Sequence, residues 1–108
     1  MLDKPKPING KPKLREQNLQ RKILEYLKSK GAYAVKTIVT NRNGVPDILF
    51  CYKGDFIAFE CKSEHGEITM LQEYNIRSIE KAGGKAYCVR SMEEVKQIVE
   101  YKQGGNNA

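Results

Sequence analysis

The clearest pattern lies in the middle of the chain, where two apolar and aromatic runs are split by a short polar turn. Ile48-Leu49-Phe50-Cys51-Tyr52 and Phe56-Ile57-Ala58-Phe59 flank the turn signal Lys53-Gly54, which predicts a β-hairpin over roughly residues 47–62. With Lys53-Gly54 as a two-residue turn, Tyr52 pairs with Asp55 and Asp47 falls directly opposite Glu60. Strand side chains repeat every two residues, so Asp47, Glu60 and Lys62 share one face.

A helical stripe of Leu19, Ile23, Leu24 and Leu27 predicts a first helix over residues 14–30, closed at Gly31. Glu16 and Gln20 extend that stripe at the i, i+4, i+7, i+11 spacing shared with Ile23 and Leu27. Residues 32–39 read as a strand and 40–44 as a polar turn. Residues 68–82 read as a helix with apolar Leu71, Tyr74, Ile79 and Ala82, and 85–90 as a short strand. Ser91 begins a last helix, with Glu94 completing a capping box. The resulting order, α-β-β-β-α-β-α, predicts an α/β fold in which helices flank a mixed sheet. The hairpin-helix-strand run is expected to form a crossover connection.

Residues 1–13 hold three prolines, one glycine and four lysines, and read as a flexible basic arm. Residues 14–102 form the expected single domain, and 103–108 a flexible tail. The length of 108 residues suits one modest core. No apolar run approaches the roughly 20 residues of a membrane span, and the N-terminus lacks a secretory signal, so a cytoplasmic protein without a membrane partner is expected. Cys51, Cys61 and Cys88 are odd in number and lack C-x-x-C spacing. They read as core or near-core thiols in a reducing compartment. His65, the single histidine, reads as a loop residue. The net charge of +6, carried largely by Lys4, Lys6, Lys11, Lys13 and Arg15 against Asp3, points to an anionic partner such as DNA.

Two carboxylates facing each other on an apolar hairpin repel, and a divalent cation is the simplest compensation. Magnesium prefers one or two carboxylates with waters and substrate oxygens, a requirement that Asp47 and Glu60 fit. The backbone carbonyl of Cys61 offers a further ligand. Lys62 is placed to orient an attacking water or stabilise a phosphorane. A Glu16 that points toward the sheet needs a partner, and the same centre supplies one, directly or through water. Gln72 in the second helix can hydrogen-bond the site or a phosphate. At Gly44 the missing side chain serves a tight turn or a close approach of DNA or metal.

At these residues the chain resembles the PD-(D/E)XK nuclease superfamily, with Pro46-Asp47 and Glu60-Cys61-Lys62 as its signature. Within it, the chain is similar to the VRR-NUC (virus-type replication-repair nuclease) family. Glu16 with Gln20, Gly44-Val45-Pro46-Asp47 and Gln72 carry that narrower likeness over about residues 14–100. The resemblance implies a restriction-endonuclease-like fold, dependence on Mg²⁺ or Mn²⁺ without an organic cofactor, and a phage or bacterial origin. It further implies a homodimer that cleaves structured DNA such as four-way (Holliday) junctions. By the same likeness Asp47 and Glu60 are metal ligands, Lys62 is the catalytic lysine, and Glu16, Gln20, Gln72 and Gly44 support the site. Lys4, Lys6, Lys11, Lys13, Arg15 and Arg42 are the expected phosphate contacts. The competing expectations are a binding module that keeps the fold without catalysis, and a structural dimerisation domain with an incidental acidic pair.

Overall fold

The structure, a computed structural model, describes the backbone of residues 5–107 and the side chains of residues 13–101. Its elements run α1 (Pro5–Ser29), β1 (Tyr33–Lys36), β2 (Ile48–Tyr52), β3 (Asp55–Cys61), α2 (Met70–Lys81), β4 (Lys85–Val89) and α3 (Met92–Asn107). The element order and the mixed sheet agree with the sequence pattern. The sheet order is β1-β2-β3-β4. The first two pairings are antiparallel, and β3 pairs with β4 in parallel across the α2 crossover. The backbone of α1 is helical from Pro5 and that of α3 through Asn107, so both helices reach into segments that the sequence pattern assigns to the arm and the tail. A proline in the first helical turn removes no intrahelical hydrogen bond, which makes Pro5 compatible with that start.

The hairpin forms in the expected register. Tyr52 pairs with Asp55 and Ile48 with Phe59, around Lys53 at φ 50° and Gly54 at φ 86°. Two consecutive positive φ values give the type I′ geometry, whose twist matches the flanking strands. Every second residue of β2 then turns inward. Ile48, Phe50 and Tyr52 join Ile57, Phe59, Cys61 and Val89 in one apolar layer, against which α1 sets Leu19, Ile23 and Leu27, and α3 sets Val95 and Val99. The Phe50 and Phe59 rings meet at 5.0 Å and a 50° tilt, a pairing worth about 0.5–1.5 kcal/mol beyond area burial.

The opposite face of the sheet carries Phe56, Ala58 and Glu60 and lies under α2. There, a Cβ on Gly84 would meet both Ile79 and Phe56 at 2.9 Å. Two expectations need correction on this side. The α2 residue that is buried is Asn75, whereas Leu71 and Tyr74 are 48% and 61% exposed. Periodicity gives the apolar face of this helix but not whether that face meets the sheet. Cys51, expected near the core, is exposed, because alternation along β2 points it away from the layer formed by Phe50 and Tyr52. The helix also begins later than its apolar pattern suggests, since Thr69 is its N-cap.

Candidate metal centre

The strand ladders extend one residue past the assigned ends of the hairpin. Thr37 N–H donates to the Asp47 carbonyl at 2.8 Å, and Lys62 N–H donates to the Val89 carbonyl at 3.0 Å. The Thr37 hydroxyl donates to the Pro46 carbonyl at 2.8 Å. The backbone on either side of the predicted carboxylate pair is therefore fixed. From that frame the Asp47 side chain crosses to β3, where its Oδ2 accepts the Cys61 N–H at 2.8 Å. The Cys61 side chain points the other way, into the apolar core. Burial first, and then the charges of Asp47 and Glu60, push its thiol well above the ordinary range, so it is no nucleophile at neutral pH.

Glu60 is only 3% exposed. Lys62 Nζ lies 3.8 Å from its Oε2, while its Oε1 is buried without a hydrogen-bond partner among the described residues. Burial, followed by repulsion from Asp47, pushes the Glu60 carboxyl up to about 8, against the opposing pull of Lys62, with Glu16 adding a smaller rise. A carboxyl in that state is out of balance with its surroundings. One flexible ammonium at the limit of ion-pair distance does not offset the burial and the neighbouring anion.

On α1, the Oε2 of Glu16 accepts the Ser63 N–H at 3.2 Å, which draws the helix N-terminal half to the chain just beyond Lys62. One turn on, Gln20 is 8% exposed, and its Oε1 is a second buried oxygen without a partner among the described residues.

These residues fit a hard divalent cation. Two carboxylates and the Cys61 carbonyl would offer the oxygen donors that Mg²⁺ accepts alongside waters. The orphaned Glu60 Oε1 is the atom that such an ion would satisfy. Among the described residues, no three or more His, Cys, Asp or Glu side chains gather into a group that could hold a metal ion. Glu16 is already tied to the Ser63 N–H.

The structure brings Asp47, Glu60, Cys61, Lys62 and Glu16 together, but the other predicted residues are placed differently. Gln72 caps its own helix: its Oε1 accepts Thr69 N–H at 2.9 Å, and its N–H donates to the Thr69 hydroxyl at 3.1 Å. Gly44 has φ +81°, and a Cβ there would lie 2.7 Å from Leu71 Cγ and 2.8 Å from Asn75 Nδ2. Its close approach is therefore to α2. Gly44 also lines, with Arg42, Asp47 and residues 37–40, a polar depression of about 410 Å³. Lys13 and Arg15 are exposed on α1, and Arg15 borders a shallow depression with Lys22, Asn18 and Ser91. Lys4 and the side chains of Lys6 and Lys11 lie outside the described residues.

Three further residues organise the site without having stood out in the sequence. Asn75 Nδ2 donates to the Asn43 carbonyl at 3.0 Å and so ties the Asp47 loop to α2. Ser63 receives Glu16. Arg90 donates to the carbonyls of Ser63 and Gly66. The available signal for Ser63 was its position next to Glu60-x-Lys62; for Arg90 there was none, because its partners are more than twenty residues away.

No curated protein matches the sequence. Among solved structures, a chain described as "VRR_NUC domain" superposes with a TM-score of 0.70 at 24% identity, covering 80% of this chain and 95% of that one. This likeness speaks for the fold, which is the one the VRR-NUC resemblance implies. Residues 12–103 match the family described as "Archaeal holliday junction resolvase (hjc)". That match takes in every element of the sheet and the whole carboxylate site, and the chain belongs to the archaeal Holliday junction resolvase family.

Proposed function

We propose that this chain is a divalent-metal-dependent endonuclease that hydrolyses phosphodiester bonds in branched DNA, four-way junctions foremost. Its family supports a nuclease of the junction-resolving type. The observation that carries the finer reading is the buried Glu60, with one orphaned oxygen, beside an Asp47 that its neighbouring backbone fixes in place. Asp47, Glu60 and the Cys61 carbonyl would hold Mg²⁺ or Mn²⁺, with Glu16 beside them as a supporting carboxylate. The ion supplies Lewis acidity and an acidified water.

The protein's own groups do the rest. The hairpin presents both carboxylates on one rigid face. Lys62, two residues from Glu60 and half-buried, places a cation where the attacking water and the developing phosphorane charge need one. Gln20 lies one helical turn from Glu16, and Gly44 seats the Asp47 loop against α2, whose N-terminus Gln72 caps. Lys4, Lys6, Lys11, Lys13, Arg15 and Arg42 supply phosphate contacts, the first four from the basic segment ahead of residue 14. Among the described residues no helix is long and apolar enough to cross a membrane. The free thiols of Cys51, Cys61 and Cys88 suit a reducing compartment such as the cytoplasm.

One site cuts one strand, so resolving a junction calls for two copies. The exposed Met70, Leu71 and Tyr74 of α2, at 88%, 48% and 61%, give a second copy an apolar face to cover. A non-catalytic binding module is the weaker reading, since Asp47, Glu60 and Lys62 are all retained at the site.

The test is cleavage of a four-way junction and of linear duplex with Mg²⁺, by wild type, Asp47→Ala and Lys62→Ala. Loss of cleavage in both variants is expected. Equal activity in all three proteins would sink the assignment.

A further inference from the structure

Arg90 closes a chain of contacts that begins at Glu16 and has no counterpart in the carboxylate-lysine set. Ser63 is 8% exposed, and its N–H donates to Glu16 Oε2 at 3.2 Å. A single amide hydrogen bond of that length orients a carboxylate only as well as the amide itself is held. Lys62 N–H makes the last ladder hydrogen bond of the strand, so the Ser63 amide lies just past the sheet.

Arg90 holds this segment. Its Nη1 donates to the Ser63 carbonyl at 2.8 Å and to the Gly66 carbonyl at 2.5 Å, bracketing the turn in which Gly66 N–H also donates to Ser63 O at 3.1 Å. The main chain of Arg90 is fixed where β4 enters α3, because its backbone N–H donates to Glu94 Oε1 at 2.6 Å. The loop lies beside Glu16: a Cβ on Gly66 would sit 3.5 Å from Glu16 Oε2, in ordinary contact, and 3.1 Å from Ser63 Oγ. A charge-assisted donor to carbonyls is stronger than a neutral one. The rigid guanidinium plane suits two acceptors, where an ammonium acts as a point charge.

Resting on the metal-dependent reading above, we propose that Arg90 is a positioning residue: by clamping residues 63–66 it holds Glu16 at the metal centre. Partners that orient metal-site groups from behind change metal affinity by about 10- to 100-fold when removed. Since Arg90 acts through Glu16, the two losses share one cause and are not additive.

The test is Mn²⁺ titration calorimetry on wild type, Asp47→Asn, Arg90→Met, Arg90→Lys, Glu16→Gln and the Arg90→Met/Glu16→Gln double variant. Four-way-junction binding in EDTA and Tm are measured alongside. Expected are Mn²⁺ affinity lowered about tenfold in Arg90→Met, a smaller loss in Arg90→Lys, and no further loss when Arg90→Met is added to Glu16→Gln. Junction binding in EDTA stays at the wild-type level. Wild-type Mn²⁺ affinity in Arg90→Met overturns the proposal, as does full additivity in the double variant. A loss of junction binding in EDTA makes Arg90 a phosphate contact instead. Should Arg90→Met not fold, Arg90→Lys decides on the same readings. If wild type and Asp47→Asn alike bind no Mn²⁺, the metal-dependent reading falls as well. Binding that is lost in Asp47→Asn but intact in Arg90→Met removes Arg90 alone.

Discussion

Asp47 Oδ2 accepts the N–H of Cys61 at 2.8 Å, so the carboxylate of one hairpin strand is held by the backbone between Glu60 and Lys62 of the other. This gives Asp47 a geometric role besides its charge. In Asp47→Asn the amide oxygen can still accept the Cys61 N–H, so the fold is kept while one anionic ligand is lost. We expect Tm within about 4 °C of wild type and junction cleavage reduced by at least about 100-fold, measured with Mg²⁺ in excess. Cleavage near the wild-type rate would show that Asp47 is only a structural acceptor.

The Glu60 carboxyl sets a pH dependence for the metal-free protein. Its value in the folded state is about 8, against about 4.5 in its ordinary state, so between those limits the folded chain binds more protons than the unfolded one. Stability therefore falls as pH rises through that window, and the loss is complete above about 8. Thermal melts in EDTA from pH 5 to pH 8 should show a declining Tm, and Glu60→Gln should flatten the decline. Mn²⁺ should restore stability at the alkaline end, because it binds the ionised form. An EDTA profile that rises with pH in wild type, and rises equally in Glu60→Gln, contradicts this account.

Substitution at Gly44 tests how the Asp47 loop is seated. Gly44→Ala combines a positive φ with a Cβ placed 2.7 Å from Leu71 Cγ. The strain alone costs about 1–3 kcal/mol, which corresponds to a Tm lower by at least about 4 °C. An unchanged Tm would mean that the loop does not rest on α2 in solution.

If a second copy covers α2, charge on its exposed face should separate the two. The double variant Met70→Glu/Tyr74→Glu is expected to sediment as a monomer and to lose paired-strand cutting of a junction while keeping Tm. Sedimentation velocity at several concentrations is the measurement, and an unchanged mass would move the interface elsewhere.

Replacing Lys4, Lys6, Lys11 and Lys13 by Gln addresses the basic segment. Each phosphate contact removed should reduce the slope of log K against log salt by about 0.9. An unchanged slope in junction binding from low to moderate salt would assign those lysines to solvation.

The parts of the site that were legible from sequence are those set by short-range rules. Lys53-Gly54 fixes a turn type, the turn fixes the register, and the register places Asp47 beside Glu60. The stripe through Gln20, Ile23 and Leu27 likewise places Glu16 on the inward side of α1. What stayed hidden depends on how distant elements meet. The spacing of Leu71 and Tyr74 is equally compatible with a buried or an exposed helix face, and the inward Asn75 is chosen by the Asn43 carbonyl it bonds. Glu94 was expected to close a box on Ser91. Only half of that forms, as Glu94 N–H donates to Ser91 Oγ while the carboxylate turns to Arg90 N–H. The Arg90 clamp joins residues 27 and 24 apart, beyond any local pattern.

The two-residue turn at Lys53 and Gly54 also restricts how this hairpin can diverge between relatives. Side chains alternate between the apolar layer and the site, so an insertion of one residue there exchanges the roles of odd and even positions along β3. Phe59 would then stand where Glu60 stands, and the Glu60 carboxylate would enter the Phe50–Phe59 layer at the place of Cys61. Length changes in this loop are thus confined to even steps, or to a compensating bulge before Phe59. Parity at one surface turn guards the chemistry on the far end of the strands.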